Sequence, residues 1–369
     1  MSGWRIRGAL RTPFGRAKGS LAALRPFDLA RQVVEELLSR LEVDPREVDS
    51  LLLCTSVPEI FPPYPARVLS RLLGLKGKSL AFTVTEGAVA PFLALARADP
   101  ETRTVLLVGA DSASCTMGRR IEDQSLLDRT STDPDSQLHL SYEAEEVAAS
   151  WGFSRQELDS VAIESHLSAL RARQEGRLEE EIFPVAVPPD YEGFVHRDQA
   201  VREKASERLF AAFPPVRAEA AGLITHGTIA LPGDGAACVL LERFEGPCPD
   251  PVITGWGVWG VPEGEVALAC GVKRLCALGG LELERLSALE LHERSASHVL
   301  AALRVLGAEA RRKLNRRGGA LAFGDVGGAT MIRHLLVLAG MLKAGEVGIA
   351  AAGSGGLCGG AVVQGASAK

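Results

Sequence analysis

Strand-like and helix-like patterns alternate through the first third of the chain. Residues 4–8, 48–57, 79–85 and 104–111 predict strands, and residues 66–73 predict a helix. A longer helix is predicted after Phe27 and Asp28, because apolar residues then recur on one face, at Leu29, Val33, Val34, Leu37, Leu38 and Leu41. This alternation is typical of an open α/β sheet.

The stretch 79–92 organises this pattern. We expect residues 79–85 to form the central strand, which breaks at Thr85, Glu86 and Gly87 and continues as a helix. In an open α/β sheet such a turn points the free N–H groups of the new helix into the crevice where ligands bind. A nucleophile would be expected at this turn, and none is found there.

Residues 117–205 differ in character from the segments around them. They carry more charge and predict helices over 143–151, 154–173 and 177–182. Ser154 and Glu157 have the spacing of a capping box, in which each side chain bonds the backbone N–H of the other residue. The segment therefore predicts an inserted helical and loop subdomain.

The second half of the chain repeats the pattern of the first. Strand-like patterns return at 233–242 and 251–260. A strand is then predicted at 286–293 and a helix at 296–306. Residues 318–330 then predict another strand and turn, with a helix over 331–344 and a final strand at 347–354. A repeat this long indicates duplicated domains. We expect the turns at 85–88 and 324–328 to face one another across a pseudo-twofold axis.

Composition narrows the range of functions. A net charge of −5 over 369 residues argues against a nucleic-acid partner. The sequence has no uninterrupted apolar run of about 18 residues, so no membrane span is expected. Its seven cysteines are scattered without metal-binding spacing, which favours reduced thiols in a cytoplasmic protein without a metal.

Several motifs, taken in their order along the chain, resemble those of the thiolase family. RTPFGR at 11–16 is similar to the family's opening motif, and SRQELD at 154–159, SH at 165–166 and GRLEEEIFPV at 176–185 are similar to its loop domain. DGAACVLL at 234–241, ELHE at 290–293 and the glycine-rich turns at 318–330 and 353–360 resemble its second half.

This resemblance spans nearly the whole chain. It implies a thiolase-like duplicated α-β-α-β-α layered fold with an inserted loop domain. The N-terminal half would comprise residues 1–118 and 206–246, the inserted subdomain 119–205, and the C-terminal half 247–369.

Thiolases condense or cleave 3-ketoacyl-CoA, and the resemblance implies which groups such chemistry needs. A cysteine thiolate accepts the acyl group. A histidine in a Gly-His-Pro turn activates that thiol, and a second cysteine moves the proton at the α-carbon. Helix N–H groups and a water held by Asn or His stabilise the oxyanions.

Matched to these motifs, the chain departs from the family at most catalytic positions. The nucleophile falls at Ala88, the base histidine at Asp325 and the second cysteine at Gly353. His292 alone keeps the functional type, at the oxyanion position. The resemblance thus identifies a degenerate member that lacks the catalytic cysteines and histidine. The family's substrate-contacting turn has become residues 225–230, where His226 and Thr228 are the candidate substrate contacts.

Alternatives remain for three residues. Cys358 could enter the crevice if its turn were shifted, although a small packed thiol is preferred. Asp325 could pair with His292 or His226 as a carboxylate–imidazole base, or it could cap the helix that follows. His292 itself fits a residual polar site and a structural hydrogen bond equally well.

The preferred hypothesis is a thiolase-like protein without thiolase activity, acting as a non-catalytic subunit, a partner or an acyl-CoA-binding member of an assembly. The alternative is an enzyme with cysteine-independent chemistry on acyl-CoA or acyl-carrier-protein substrates, such as hydrolysis or decarboxylation. The two differ in whether the space between Ala88, His292, Asp325 and Gly353 is open and polar or filled.

The resemblance also bears on partners and ligands. It implies a homodimer that pairs the 79–85 strands, or a heteromer with another thiolase-fold chain. Coenzyme A is the one ligand that the insert could retain, because in the family this segment covers its pantetheine arm. The cations at the end of the insert fit its phosphates or a solvated helix face equally well, namely Arg197, Arg202, Lys204 and Arg208.

Overall fold

The structure, a computed structural model, describes residues 2–57, 63–77, 79–117, 119–121, 124–125, 131–132, 138–217, 222–246, 248–354 and 356–366. The strands are β1 (Ser2–Arg11), β2 (Gly15–Arg16), β3 (Ser50–Cys54), β4 (Leu80–Val84), β5 (Thr104–Ser112), β6 (Arg120–Ile121), β7 (Gln124–Ser125), β8 (Val185–Val187), β9 (Gly193–Val195), β10 (Gly233–Glu245), β11 (Val252–Gly260), β12 (Ala288–Leu291), β13 (Val347–Ser354) and β14 (Leu357–Gln364).

The helices are α1 (Pro26–Arg40), α2 (Pro65–Leu72), α3 (Ala90–Ala96), α4 (Ala113–Thr116), α5 (Leu140–Ser150), α6 (Arg155–Gln174), α7 (Arg177–Glu181), α8 (Glu207–Ala211), α9 (Ala267–Gly279), α10 (Ala296–Leu306), α11 (Ala308–Lys313), α12 (Ala320–Phe323) and α13 (Gly328–Met341). Short 3-10 turns lie at Pro45–Glu47, Gly87–Val89 and Leu283–Arg285. Within the described ranges, none of the helices combines the length and apolarity needed to cross a bilayer.

One 10-stranded sheet runs through the molecule in the order β12-β13-β14-β11-β1-β10-β5-β3-β4, with β2 paired to β10. Outward from the junction of β1 with β11, the order is β1-β10-β5-β3 on one side and β11-β14-β13-β12 on the other. The strand directions also match. In the first half β5 is parallel to β3 and antiparallel to β10, and in the second half β13 is parallel to β12 and antiparallel to β14. The predicted duplication is therefore confirmed.

Three apolar cores separate five layers. Side chains alternate between the two faces of a strand, so Leu52 and Leu107 pack with α3 and α13, whereas Leu51 and Leu106 pack with α1 and α2. A third core lies between α9, α10 and the outer face of β12, β13 and β14. Helices α3 and α13 contact strands of both halves, which makes them the middle layer of the predicted α-β-α-β-α arrangement.

The prediction that residues 79–85 form the central strand was wrong. This strand, β4, lies at an edge of the sheet, and Leu80 is 43% exposed. Its apolar side chains are explained by α2 and α3, which contact the strand, while its outer backbone edge has no strand partner among the described residues. The pattern of apolar side chains reflects the two faces of a strand and not its backbone edges, so it could not distinguish a central strand from an edge strand.

The prediction of a strand within residues 318–330 was also wrong, because Ala320–Phe323 forms the short helix α12. Ala-Leu-Ala-Phe contains no β-branched residue, and alanine and leucine are strong helix formers. In the described part of the chain, the C-terminal half thus has no counterpart of β4. The predicted helix follows as α13, beginning at Gly328.

A buried ion network fixes the insert against both halves. Arg11, at the end of β1, pairs with Glu181 at 3.1 Å and with Asp198 at 2.7 Å, both in the insert. Glu181 also pairs with Arg317 at 3.2 Å and with Arg333 at 3.3 Å, from the second half. All five side chains are buried, and buried charges are stable only when they are paired in this way.

The predicted capping box of Ser154 and Glu157 is present at the start of α6. Residues 118, 122–123, 126–130 and 133–137 of this region lie outside the described residues. The domain boundaries at 118, 205 and 246 stay a prediction.

Candidate active site

The family-equivalent positions lie where strands of both halves end. Ala88 follows β4, His292 directly follows β12, and Asp325 stands in the turn before α13. The 3-10 turn at Gly87–Val89 contacts α13, β13 and β14. The two central turns are thus adjacent, as the duplication predicts.

Ala88 is part of the apolar core. Gly87 takes the left-handed conformation, with φ of +51°, and starts the 3-10 turn that leads into α3. Ala88 is only 4% exposed and packs in the middle core, while Glu86 beside it is exposed. The methyl group at the nucleophile position therefore contributes packing and cannot accept an acyl group.

Gly353 has no room for the side chain of a cysteine. A Cβ built at this position would lie 2.6 Å from Ala267 Cβ, at the start of α9. Real Cβ atoms do not approach this closely, so a side chain here would require α9 or β13 to move. The second cysteine position is closed by the packing of α9.

Cys358 is a packed thiol and not a displaced catalytic one. It lies opposite Gly353 in the β13–β14 ladder, is fully buried and is hydrogen-bonded to Cys270 of α9. Burial and this neighbour raise the pKa of Cys358 to about 12, which leaves almost no thiolate at neutral pH. Cys115, which is partly exposed, contacts the carbonyl of Leu24 instead.

His292, which is buried, and Asp325, which is partly exposed, form a pair. The Nε2 atom of His292 lies 2.9 Å from Oδ2 of Asp325, while Oδ1 accepts hydrogen bonds from the Gly327 N–H at 3.0 Å and the Thr330 hydroxyl at 3.1 Å. Asp325 thus pairs with His292 and also caps the start of α13. Both of the contacts considered for this residue are present, and its role as part of a base stays a prediction.

The electrostatics of the pair favour an ionised carboxylate. Burial opposes the charge of Asp325, but the neighbouring His292 and the hydrogen bonds from Thr330 and Gly327 hold its pKa below the usual range. The Nδ1 atom of His292 is buried and makes no hydrogen bond with the described residues. With Nε2 directed at the carboxylate and Nδ1 enclosed by protein, Asp325 is the member of the pair that can face a ligand.

The turn at 225–230 runs beside this pair, but its two candidate residues differ. His226 is exposed, and the hydrogen bonds of Asp325 go to other residues. The hydroxyl of Thr228 is buried and donates to the Thr225 carbonyl at 3.2 Å, so it closes the turn. The backbone joins the turn to the site, because Ala230 N–H donates to the Arg294 carbonyl. Their substrate-binding role stays a prediction.

A polar cavity of about 90 Å³ opens beside Asp325. Its lining includes Ser56, Asp111, Arg294 and Gly327, but not Ala88 or Gly353. It exceeds the roughly 10–15 Å³ that one water molecule needs. Asp325 is the one of the four family-equivalent positions that lines this cavity, and His292 does not, so the opening lies beside the group and not between its members.

Asp111 is the residue of this site that the sequence reasoning missed. It lies near the end of β5 and accepts hydrogen bonds from the Thr55 hydroxyl at 2.7 Å and from the Ser56 N–H at 2.8 Å. Burial, together with the charge of Asp325, raises the pKa of Asp111 to about 7, against the effect of these hydrogen bonds. An acidic residue at the carboxyl end of an apolar strand was the signal that could have identified it.

A larger open groove, of about 1270 Å³, lies between α6, α11 and the end of α13. Charged side chains line it, among them Arg171, Arg311 and Lys343, and none of the four family-equivalent positions opens into it. Within the described ranges, no group of three or more His, Cys, Asp and Glu side chains is arranged to hold a metal ion.

Comparison with known proteins gives matches over almost the whole chain. A family model for the thiolase N-terminal domain matches residues 5–245, and one for the thiolase C-terminal domain matches residues 252–365. The 3-ketoacyl-CoA thiolase of Bacillus subtilis (strain 168) is 30% identical over 362 residues, which cover 92% of each chain. A probable acetyl-CoA acyltransferase of Staphylococcus aureus (strain COL) is 29% identical over 361 residues, covering 90% of this chain and 91% of the relative.

Solved structures agree with these matches. Human mitochondrial 3-ketoacyl-CoA thiolase superposes with a TM-score of 0.86 at 25% identity, covering 98% of each chain. The Acat5 thiolase from Ascaris suum in complex with coenzyme A superposes with a TM-score of 0.88 at 24% identity, covering 98% of this chain and 99% of the other. With both halves matched in sequence and in fold, the chain belongs to the thiolase family.

Proposed function

We propose that this chain binds acyl-CoA thioesters and moves protons on the bound acyl group without forming an acyl-enzyme. The observation that carries the proposal is the His292–Asp325 pair beside an open polar cavity, at a site whose two cysteine positions hold Ala88 and Gly353.

Thioester binding is supported by the chain's relatives. They are named as a 3-ketoacyl-CoA thiolase and an acetyl-CoA acyltransferase, and one solved neighbour contains coenzyme A. Coenzyme A is therefore the proposed ligand. Three cations near the end of the insert are exposed, namely Arg197, Lys204 and Arg208, and the guanidinium carbon of Arg202 lies 4.7 Å from the centre of the Phe213 ring. Guanidinium groups pair well with phosphate oxygens, so this cluster is the proposed phosphate contact.

Proton transfer does not need a cysteine. Asp325 is the member of the pair that lines the cavity, and His292 behind it is bonded to its carboxylate through Nε2 and can take up a proton from it. A carboxylate–imidazole unit of this kind can activate a water, as hydrolysis of a ketoacyl thioester requires, or give a proton to the enolate that forms when an acyl thioester with a β-carboxylate loses CO₂. Claisen chemistry is disfavoured, since the loss of both cysteines and the base histidine removes several kcal/mol of transition-state stabilisation at each step.

The test is the consumption of acetoacetyl-CoA by wild-type protein, by protein alkylated with iodoacetamide, and by His292→Ala. We expect alkylation to leave the rate unchanged, because no thiol takes part. His292→Ala should lose about 10²-fold or more, the usual contribution of a general base. The control is His196→Ala, which removes an exposed histidine of the insert and should keep the wild-type rate. A rate abolished by alkylation, or retained in His292→Ala, would show the proposal to be wrong.

The second candidate function is a non-catalytic subunit. It is favoured by the filled space at the cysteine positions, since Ala88 is buried and Ala267 occupies the room beside Gly353. Such a subunit would form a homodimer through β4, or a heteromer with another thiolase-fold chain, in the cytoplasm where its thiols stay reduced. Native mass measurement of the protein taken from its source cell would identify the partner, and complete absence of acetoacetyl-CoA turnover would favour this function over the first.

A further inference from the structure

Asp111 faces the same cavity as Asp325 and is none of the positions that the family resemblance singles out. We propose that Asp111 is a second catalytic residue of this site, which protonates the carbonyl oxygen of a short acyl thioester while the Asp325 carboxylate, with His292 bonded behind it, withdraws a proton from the α-carbon. The protein would thereby enolise the bound acyl group. This inference rests on the thioester binding proposed above.

The fold holds Asp111 in place from the side of β3. Its Oδ1 accepts from the Thr55 hydroxyl and the Ser56 N–H, and its Oδ2 accepts from the Ser56 hydroxyl at 3.2 Å. These donors follow β3 directly, so the carboxyl group is fixed by backbone that is itself part of the sheet. A group fixed in this way needs no reorganisation when a ligand binds.

Gly327 brings the two carboxyl groups to the same place. Its N–H donates to Asp325 Oδ1, and any Cβ at this position would overlap Asp111 Oδ2 and the Ser56 hydroxyl. The residue also has φ of +51°, a conformation that favours glycine. Asp111 and Asp325 therefore flank one glycine at the edge of one cavity.

The surroundings give the two carboxyl groups different protonation states. Asp325 is paired with His292, whereas the hydrogen bonds that Asp111 receives from the described residues come from neutral groups of Thr55 and Ser56. Arg294, the cation of the cavity lining, is already paired with Glu143 at 2.8 Å. Burial and Asp325 raise the pKa of Asp111 to about 7. Two neighbouring carboxyl groups whose pKa values are shifted in opposite directions can act as one acid and one base.

The size of the cavity limits the ligand. About 90 Å³ is far below the roughly 300–1,000 Å³ of pockets that enclose a whole small molecule. It can hold the acyl end of a thioester such as acetyl-CoA, with the coenzyme outside. The substrate class is therefore a short acyl thioester with a proton on its α-carbon.

The proposed step is balanced without any further reactant. The C–H bond at the α-carbon breaks, its proton passes to the His292–Asp325 pair, and its electron pair forms the C=C bond of the enol. The π electrons of the carbonyl form an O–H bond with the proton of Asp111, which becomes a carboxylate. The reverse step restores all groups, and in D₂O it returns a deuteron to carbon.

The test is deuterium exchange into the methyl group of acetyl-CoA, followed by proton NMR in D₂O. We expect exchange by the wild-type protein and a loss of about 10²-fold in Asp111→Asn, with unchanged acetyl-CoA affinity by calorimetry. The wild-type rate should fall above about pH 7, where the pKa of Asp111 lies, and this fall should vanish in the variant. The control is Asp49→Asn, which alters an aspartate paired with Lys76 at 2.7 Å and should leave exchange unchanged.

The outcomes separate this inference from the function on which it rests. If acetyl-CoA does not bind, the proposed function fails and this inference with it. If acetyl-CoA binds but does not exchange, or exchanges equally fast with Asp111→Asn, only this inference fails. Should the variant not fold, the wild-type profile decides, because a rate that does not fall above about pH 7 would overturn the role of Asp111.

Discussion

At the residue scale, Ala88 and Gly353 occupy the positions that the family resemblance matches to catalytic cysteines, and the carboxyl groups of Asp111 and Asp325 face the nearby cavity. Both positions are adapted to their packing, because Ala88 is buried in the core and Gly353 has Ala267 against it. Asp325 has instead gained His292 as a partner at 2.9 Å. The chemistry available to the chain is therefore that of acids and bases.

The raised pKa of Asp111 makes a prediction about stability. Its pKa is about 7 in the folded protein and roughly 3.9 when unfolded, so the folded state binds its proton more tightly. This contribution is complete below about pH 4 and is lost as pH rises to about 7, at up to roughly 1.4 kcal/mol per pH unit. Urea unfolding of Asp111→Asn between pH 4.5 and 8 should lack this loss.

The control for that measurement is Asp49→Asn. The pKa of Asp49 is lowered, since the bond to Lys76 and backbone N–H groups outweigh its burial. Its contribution is therefore gained as pH rises and lost as pH falls. Equal pH slopes for wild type and Asp111→Asn would contradict the assignment of Asp111.

Gly353 gives a second prediction at this scale. Gly353→Cys should lower the free energy of unfolding by about 1–3 kcal/mol, because its Cβ collides with Ala267. Adding Ala267→Gly should recover part of the loss, as measured by urea unfolding. Full stability of Gly353→Cys alone would show that α9 does not close the second cysteine position.

At the element scale, the duplication explains which features could be predicted from sequence. The strand before Asp111 and the helix after Phe27 were recognisable, because both faces of the strand and one face of the helix are apolar. His292 was one of the two partners that were expected for Asp325. Asp111 was recognisable only as an acidic residue at the end of an apolar strand. Its neighbours were not, because they depend on the ends of β3 and β5 meeting the turn at Gly327, and local patterns carry no such information.

The outer edge of β4 is the predicted dimer interface, because no strand of the described residues pairs with it. The Leu80 N–H donates to the Asp49 carbonyl and the Val84 carbonyl accepts from Thr55, so even-numbered residues face β3. Backbone groups alternate along a strand, which turns those of Ala81 and Thr83 outward. Thr83→Pro should therefore give a folded monomer in light scattering, because proline is tolerated where the N–H is not needed by the sheet.

The matched variant is Phe82→Pro, which removes a donor facing β3. It should lower the free energy of unfolding instead of only dissociating the dimer. A Thr83→Pro protein that remains dimeric would place the interface elsewhere.

At the scale of the whole molecule, the insert and the two halves are held together by buried charge. The single side chain of Glu181 contacts Arg11, Arg317 and Arg333, which come from separate parts of the chain. Removing one member leaves the others buried without compensation, and that is far more costly than losing a surface pair. The network therefore maintains the arrangement of the halves around the site.

Glu181→Gln should lower the free energy of unfolding by about 3–5 kcal/mol. The comparison is Glu35→Gln, which breaks an exposed pair with Arg31 at 2.7 Å and should cost less than about 1 kcal/mol. Urea unfolding of both variants measures the difference. Similar losses for the two would mean that the buried network does not hold the molecule together.

The account depends on thioester chemistry that proceeds without an acyl-enzyme. The direct measurement is the intact mass of the protein, recorded by electrospray while it consumes excess acetoacetyl-CoA. We predict that the protein keeps its unmodified mass throughout turnover, because neither Ala88 nor Gly353 can carry an acyl group. An acetylated protein that forms and decays as fast as the substrate is consumed would contradict the account.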